Sequence, residues 1–454
     1  MVRKPRGSGP SRQEDRSDPS PFLELRGRRL RSGVDAIADP SEFRQYLYPL
    51  DHPRVASLRD MDARAYVAFA AGSARGAWLR EHFLEKYAQP FTGLSADGII
   101  RSDVYRREAV RPGEAAPTAR MVEAARTFLS YLLPPKRAKA RYPFESRERR
   151  GWNNQEWLLN DIGVRLEEID PRSRDAFLEL VAASLSKDGA HLIDEVRQTN
   201  AFLGGLTHAE GVMNEYSYQA AIYGEPSVTD PWGWQLYGHH LALNVTVFGD
   251  EMVVSPVFLA AEPTVIDEGP YAGTRLFAHR SALALELAQR LTLPQLESAR
   301  IYRGLRDPSM PEGRLHPADE RTVAGCFSDN NVVPYEGIRA DKLDDTQRGL
   351  LWDLVEDFYG LLPSGPRAAQ MRRIRSFAEE TWFCWIGEID GSHPFYYRVQ
   401  SPVTLVESDA HGGLWLSNDE PAPFHLHTMI RSPNAGDYGR AMVANGLGAP
   451  VSTA

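Results

Sequence analysis

Residues 232–260 read WGWQLYGHHLALNVTVFGDEMVVSPVFLA, and this stretch decides the fold class. Leu241, Leu243, Val245 and Val247 alternate with Ala242, Asn244 and Thr246. A period of two is the signature of a strand with two unlike faces. Gly249-Asp250 interrupts the run with a two-residue Gly-X turn, which predicts a hairpin between Leu241–Phe248 and Glu251–Leu259. Pro256 has no N–H to donate, so the second strand is expected to have an unpaired side there. If the turn alone sets the register, Tyr237 lies opposite Glu262, and Glu262 sits diagonally near His239. His239 then shares the apolar face and His240 the polar one, and a bulge at Gly238 or Pro256 reverses this.

Working outward, a second β-rich, aromatic block covers Trp382–Arg431. Helical patterns surround both blocks: Met61–Glu85, Ala119–Leu133, a helix opened by the Asp170-Pro171 N-cap, His191–Leu206, Ser281–Leu291, Pro294–Tyr302, Asp341–Leu361 and Ala368–Glu380. Pro134-Pro135 is expected to stop the second of these. Residues 303–340 look loop-rich. The expected class is therefore α+β, with β-rich blocks at about 222–262 and 382–431 separated by helices, and a helical N-terminal extension. The expected division is a disordered tail over 1–20, the extension over 21–118, one domain over 119–445 and a flexible C-terminus over 446–454.

Composition narrows the function classes. The chain has 454 residues, 42% hydrophobic and 25% charged, which is ordinary globular usage and excludes wholesale disorder. Its net charge of -9 argues against a nucleic-acid binder. Two cysteines, Cys326 and Cys384, can build neither a disulfide scaffold nor a cysteine zinc site. No run of eighteen apolar residues occurs and the basic N-terminus has no apolar stretch behind it, so no membrane span, no secretory signal and a cytoplasmic location are expected. The basic stretch Lys136–Arg150 reads as a solvated face.

Of the 12 histidines, four fall in β-like contexts. His425 and His427 flank one leucine, so on a strand they share a face with Cβ atoms about 7 Å apart and can converge on one ion. His239 and His240 are adjacent and point to opposite faces, so at most one of them is expected to join. Glu407 alternates with Val403 and Leu405, and an acid on an apolar face is costly unless paired or metal-bound. His240 (or His239), His425, His427 and Glu407 together suit one transition-metal ion: iron, copper, manganese or zinc.

Three functions follow as expectations. The first is a metal-dependent enzyme acting on a small organic substrate, an oxidoreductase of oxygenase or oxidase type. The second is a zinc hydrolase in which Glu225, Glu262 or Glu407 serves as base. The third is a non-catalytic binding protein with structural histidines. Glu262, Glu225 and Arg398 are the candidate catalytic residues. Arg398 and Arg431 could clamp a substrate carboxylate, or instead pair with Glu407 or Asp437. Arg431, Tyr397, Trp234 and Asn244 are candidate substrate contacts, with core packing the alternative for the aromatics. A small molecule is the expected partner, with neither nucleic acid nor membrane, and the oligomeric state is left open.

Several separated motifs then carry a resemblance: Tyr142-Pro143-Phe144, Glu225-Pro226, Trp232-Gly233-Trp234-Gln235, Gly238-His239-His240-Leu241, Ala261-Glu262-Pro263, Tyr396-Tyr397-Arg398, His425-Leu426-His427 with Arg431, and Asp437-Tyr438-Gly439. In this order they resemble the family called domain of unknown function 3500, over roughly residues 120–445. The resemblance implies one evolutionary unit holding both histidine blocks, and no named activity. There is no H-E-x-x-H, no phosphate-binding G-x-x-x-x-G-K-[ST] and no G-x-S-x-G elbow.

Overall fold

The computed structural model describes residues 42–447 except 107, 158 and 317, so the expected tail over 1–20 and most of the expected C-terminal segment lie outside the described residues. In chain order the strands are β1 Arg141–Tyr142, β2 Val164–Arg165, β3 Tyr218–Tyr223, β4 Trp232–Gly238, β5 Leu241–Phe248, β6 Glu251–Ala261, β7 Arg300–Tyr302, β8 Ile338–Arg339, β9 Trp382–Ile386, β10 Tyr396–Gln400, β11 Leu405–Ala410 and β12 Leu426–Arg431. They form one mixed sheet in the order β1-β3-β4-β5-β6-β12-β11-β10-β9-β7, with β2 added on β3 and β8 on β9. Ladders β1/β3 and β7/β9 are parallel, and those between β3 and β9 are antiparallel. The two β-rich blocks meet at β6 and β12, where His427 pairs with Ala260. The class is α+β as the patterning predicts.

The predicted hairpin forms, with Phe248 opposite Glu251. The register then slips: Val245 faces Val254, but Leu243 faces Val257, so Ser255 and Pro256 together oppose Asn244. This is the bulge that Pro256 makes natural, because it cannot donate to the ladder. The stretch 232–248 is not continuous. His239 and His240 are the two turn residues of a tight hairpin joining β4 to β5, with Gly238 opposite Leu241 and His240 at a φ of 60°. Tyr237 therefore faces Ala242 and not Glu262. A reading from β-alternation alone passes over this turn, because neither turn residue is the glycine or asparagine that usually marks a two-residue hairpin.

One sheet face is covered by helices. Trp234, Leu243, Val245, Tyr397, Val406 and Ile430 share a core there with Phe128 of the helix Thr118–Tyr131, Phe177 of Pro171–Ser184, Leu285 of Ala278–Arg290 and Leu354 of Asp345–Phe358. Asp170 caps its helix, its side chain accepting from Ser173 N. Pro134 does not simply stop a helix. It starts a new short one, Pro134–Lys139, where its missing N–H costs nothing. Residues 300–302 are strand rather than helix, drawn into the sheet edge by β9.

The other face carries Tyr237, Ala242, Phe258, Ala260 and Met429, packed against Trp152, Cys326, Tyr438 and the N-terminal helix Ala74–Ala88 through Leu79, Phe83 and Tyr87. Much of its cover is irregular chain from 303–337 and 411–424. Buried charge holds that cover down. Arg431 donates to Ala324 O, Gly325 O, Asp329 and Asp437. Arg150 binds Asp329 from the opposite side at 2.8 Å. Arg149 lies among the rings of Phe144, Tyr223 and Tyr438 and donates to Val245 O and Thr246 Oγ1. The basic stretch is thus not wholly a solvated face, since Arg149 and Arg150 are buried. Among the described residues no helix is long and apolar enough to cross a membrane.

Two outcomes follow. Arg431→Ala leaves Asp329 and Asp437 short of their shared cation and is expected to cost about 3–5 kcal/mol in chemical denaturation; a loss under about 1 kcal/mol contradicts this account of the clamp. Burial alone would raise the Asp329 carboxyl, but the Arg431 and Arg150 charges hold it below the ordinary carboxylate range. A group depressed in the folded state contributes stability above its unfolded pKa of about 3.9 and loses it as the pH falls. The stability gap between wild type and Asp329→Asn should therefore shrink on acidification below about pH 4.

Candidate metal centre

His427 lies on β12 and His425 one residue before it, so strand alternation turns both imidazoles to the loop-covered face. His240 reaches them from the β4–β5 turn. That turn is pinned by its backbone: His240 N donates to Asn154 O at 3.1 Å, and His240 O accepts from Ala260 N at 2.8 Å. Ala260 is also the cross-strand partner of His427, so one small residue sets the distance between turn and strand. The ring centroid of His240 lies 5.5 Å from that of His425 and 5.4 Å from that of His427.

Each of His240, His425 and His427 offers a nitrogen within 4.8 Å of the other two, and all three residues are buried. His425 Nε2 and His427 Nε2 are 3.0 Å apart. Two imidazoles bound to one zinc-like ion at about 2.0–2.1 Å have nitrogens at a comparable separation. Burial pushes all three well or partly below the ordinary histidine pKa, with the neighbouring imidazoles adding to the effect at His240 and His427. They are therefore neutral, which is the form that binds metal.

On the far side of two of the rings stand a backbone carbonyl and an acid. The Nδ1 of His425 faces Gly412 O at 2.8 Å, so it carries the proton and leaves Nε2 bare. The Nδ1 of His427 has no hydrogen-bond partner, but Asp319 Oδ1 stands 3.7 Å away. Asp319 is itself buried and accepts from Asn154 Nδ2 at 2.6 Å. Gly325 makes room for it, since a Cβ at that position would lie 2.5 Å from Asp319 Oδ2. His411 stacks on His427 with centroids 3.7 Å apart, and its Nε2 is 3.1 Å from Asp409 Oδ2. Asp409 is held in turn by Arg321 Nε at 2.7 Å.

The structure gathers some of the predicted residues and disperses others. His239 stacks on His240 with centroids 3.8 Å apart and its Nδ1 faces Asn200 Oδ1 at 2.8 Å; burial pushes its pKa down to about 3. Glu262 borders the group. Its carboxylate accepts the N–H groups of Leu414, Trp415 and Leu416, and lies 3.8 Å from His425 Nδ1. It does not pair with His239 as the uninterrupted register would have it.

Glu407 lies on the same face but outside the three-nitrogen group. Its oxygens accept from Val323 N, Ala324 N and Tyr396 OH, which explains its tolerance on that face without a metal. Arg398 binds Glu336 and Pro334 O, and Arg431 makes the clamp described above, including the Asp437 pair foreseen as its alternative. Trp234 and Tyr397 are on the helix-covered face, so the sheet separates them from the histidines. Asn244 is locked at the bulge between Gln235 Nε2 and Pro256 O. Glu225 follows the end of β3 remote from the His239-His240 turn, about 17 Å along the strand direction, and is 74% exposed beside Arg141.

His411 and Asp319 went unnoticed in the sequence. His411 had a signal: Glu407, Asp409 and His411 keep a period of two, and His411 N extends the ladder by donating to His425 O. Asp319 sits in irregular chain and had none.

A family model described as Protein of unknown function (DUF3500) matches residues 114–440, well over half of the chain. The chain belongs to the DUF3500 family. No curated protein and no solved structure matches it significantly. The DUF3500 match contains His240, His425, His427, Asp319 and His411, whereas the helices Ala63–Gly72 and Ala74–Ala88 precede it.

Asp319→Asn keeps the shape and removes the charge facing His427. Metal affinity, read by competition with a chelator, is expected to fall about 10–100-fold, as for other partners of metal-bound histidines. Unchanged affinity would show that Asp319 does not orient His427.

Proposed function

We propose that this DUF3500 protein is a metal-dependent enzyme acting on a small organic substrate, with one transition-metal ion held by His240, His425 and His427. The observation that carries the proposal is the convergence of three buried imidazoles, two of them with Nε2 atoms 3.0 Å apart. Two imidazole nitrogens that close need a proton or a cation between them. An all-imidazole set suits iron, copper or zinc better than manganese, which prefers oxygen donors. Three protein ligands also leave coordination positions open for substrate or water.

The oxidoreductase reading stands first, of oxygenase or oxidase type. A hydrolytic centre of the carboxylate-assisted kind needs an acid free to act as base on the metal-bound water. The carboxylates around the histidines are engaged elsewhere: Glu262 by three backbone N–H groups, Asp409 by Arg321, Asp319 by Asn154. A redox metal would supply the electron transfer. The chain's part is to hold the imidazoles neutral, fix their ring orientation through Gly412 and Asp319, and screen the centre from bulk water. Zinc hydrolysis is the alternative, and elemental identity separates the two.

Protein purified without a histidine tag is expected to carry about one equivalent of iron or copper per chain by elemental analysis, and to consume oxygen with a suitable substrate. The His425→Ala/His427→Ala double variant should retain under about a tenth of that metal, because two of three ligands are gone. Zinc alone without oxygen uptake would move the assignment to hydrolysis. Absence of any stoichiometric metal from wild type would leave the histidines structural.

A further inference from the structure

His239 is buried next to the metal group, yet one of its ring nitrogens has nothing to bind. The argument begins at Asn200, on the helix Lys187–Thr207. Its amide nitrogen donates to Asn214 O and to Ser217 Oγ, both at 3.0 Å. The amide nitrogen is thus fixed on that side, and Asn200 Oδ1 is the atom left facing His239 Nδ1 at 2.8 Å. An amide oxygen only accepts, so His239 Nδ1 carries the proton. Its Nε2 is then a bare lone pair.

That lone pair lies on the ring edge away from Asn200. It is buried and meets no hydrogen-bond donor of the protein, in a residue only 3% exposed. A buried acceptor left unmade costs about 1–3 kcal/mol, so a protein that keeps one usually has a partner for it outside the chain. The surroundings indicate where that partner sits. His239 stacks face to face on His240, at 3.8 Å and 26°. Yet His239 is outside the group of mutually close nitrogens formed by His240, His425 and His427. His239 is thus a stacked neighbour of that group and not a member of it.

We propose that His239 Nε2 accepts the hydrogen bond of an O–H group bound at the metal, either water or the hydroxyl of the substrate. The assignment rests on the metal reading and deepens it: it selects hydroxyl-bearing molecules over ligands without a proton to share. It also divides the labour of the two adjacent histidines, one on the ion and the other on the ion's ligand.

The test is a high-resolution structure of the full chain loaded with Zn2+ alone, beside Zn2+ titrations of wild type and His239→Phe. The expected result is an oxygen on the metal within about 2.6–3.2 Å of His239 Nε2, with His239→Phe binding Zn2+ within about threefold of wild type. In a second arm, soaking a simple alcohol should replace the water oxygen with the hydroxyl at the same nitrogen, and failure to do so assigns the site to water. Overturning results are Nε2 bonded directly to zinc at about 2.0–2.1 Å, a loss above about tenfold in His239→Phe, or bound zinc with no oxygen at Nε2. If wild type binds no zinc, iron or copper, the metal reading fails first and this assignment with it. If metal binds but Nε2 has no oxygen, this assignment fails alone.

Discussion

Irregular chain laid on a sheet face must still find partners for its backbone N–H and C=O groups, and the whole loop-covered face depends on how this is done. The sheet answers with long polar side chains standing on the strands. Glu407 takes the N–H groups of Val323 and Ala324, Arg431 gives to the carbonyls of Ala324 and Gly325, Gln400 to Val333 O, and Arg398 to Pro334 O. Glu262 does the same for Leu414–Leu416. These groups fix two segments, and those segments carry Asp319, His411 and Gly412, the residues that orient or flank the histidines. The site's surroundings are therefore held by buried charge, with the hydrophobic core of that face behind it.

Buried ionic groups pay for desolvation only when every partner is in place. On this face the pairs are interlinked: Asp329 sits between Arg150 and Arg431, and Asp409 accepts from both the side chain and the backbone N–H of Arg321. Removing one member strands another. Such a grid has few intermediate arrangements, which keeps the loops beside the imidazoles in one geometry. The histidines obey the opposite rule. Burial lowers their pKa values and so favours the neutral imidazole, the form that could bind a metal.

Much of this was legible in the sequence, for identifiable reasons. The alternation of Leu241–Val247 and the Gly249-Asp250 turn predicted the hairpin, and the spacing of His425 and His427 put both on one face, because strand geometry is local. Pro256 marked the bulge by its missing donor. What stayed hidden was non-local. The His239-His240 turn uses no glycine or asparagine, so composition did not announce it. Glu407 advertised an acid on an apolar face but not which partner would neutralise it, and two backbone N–H groups from a loop over 80 residues away do so. Arg398 and Arg431 similarly read as substrate clamps from sequence, while their acceptors include loop carbonyls that no sequence pattern marks.

The segment before the family match bears on the site as well. Tyr66, Leu79, Phe83 and Tyr87 share one core with Trp152, Phe258, Met429 and Cys326. Arg150 joins the two parts by polar contacts, giving one bond to Gln89 O and another to Asp329. Phe258 in turn sets its edge against His427, with centroids 5.1 Å apart. An apolar surface of that extent is rarely left open to water. The extension and the matched span therefore close the loop-covered face together, and the packing around His427 is shaped from both sides of the family boundary. A change in that extension would therefore alter the packing beside His427 without touching any of the three histidines.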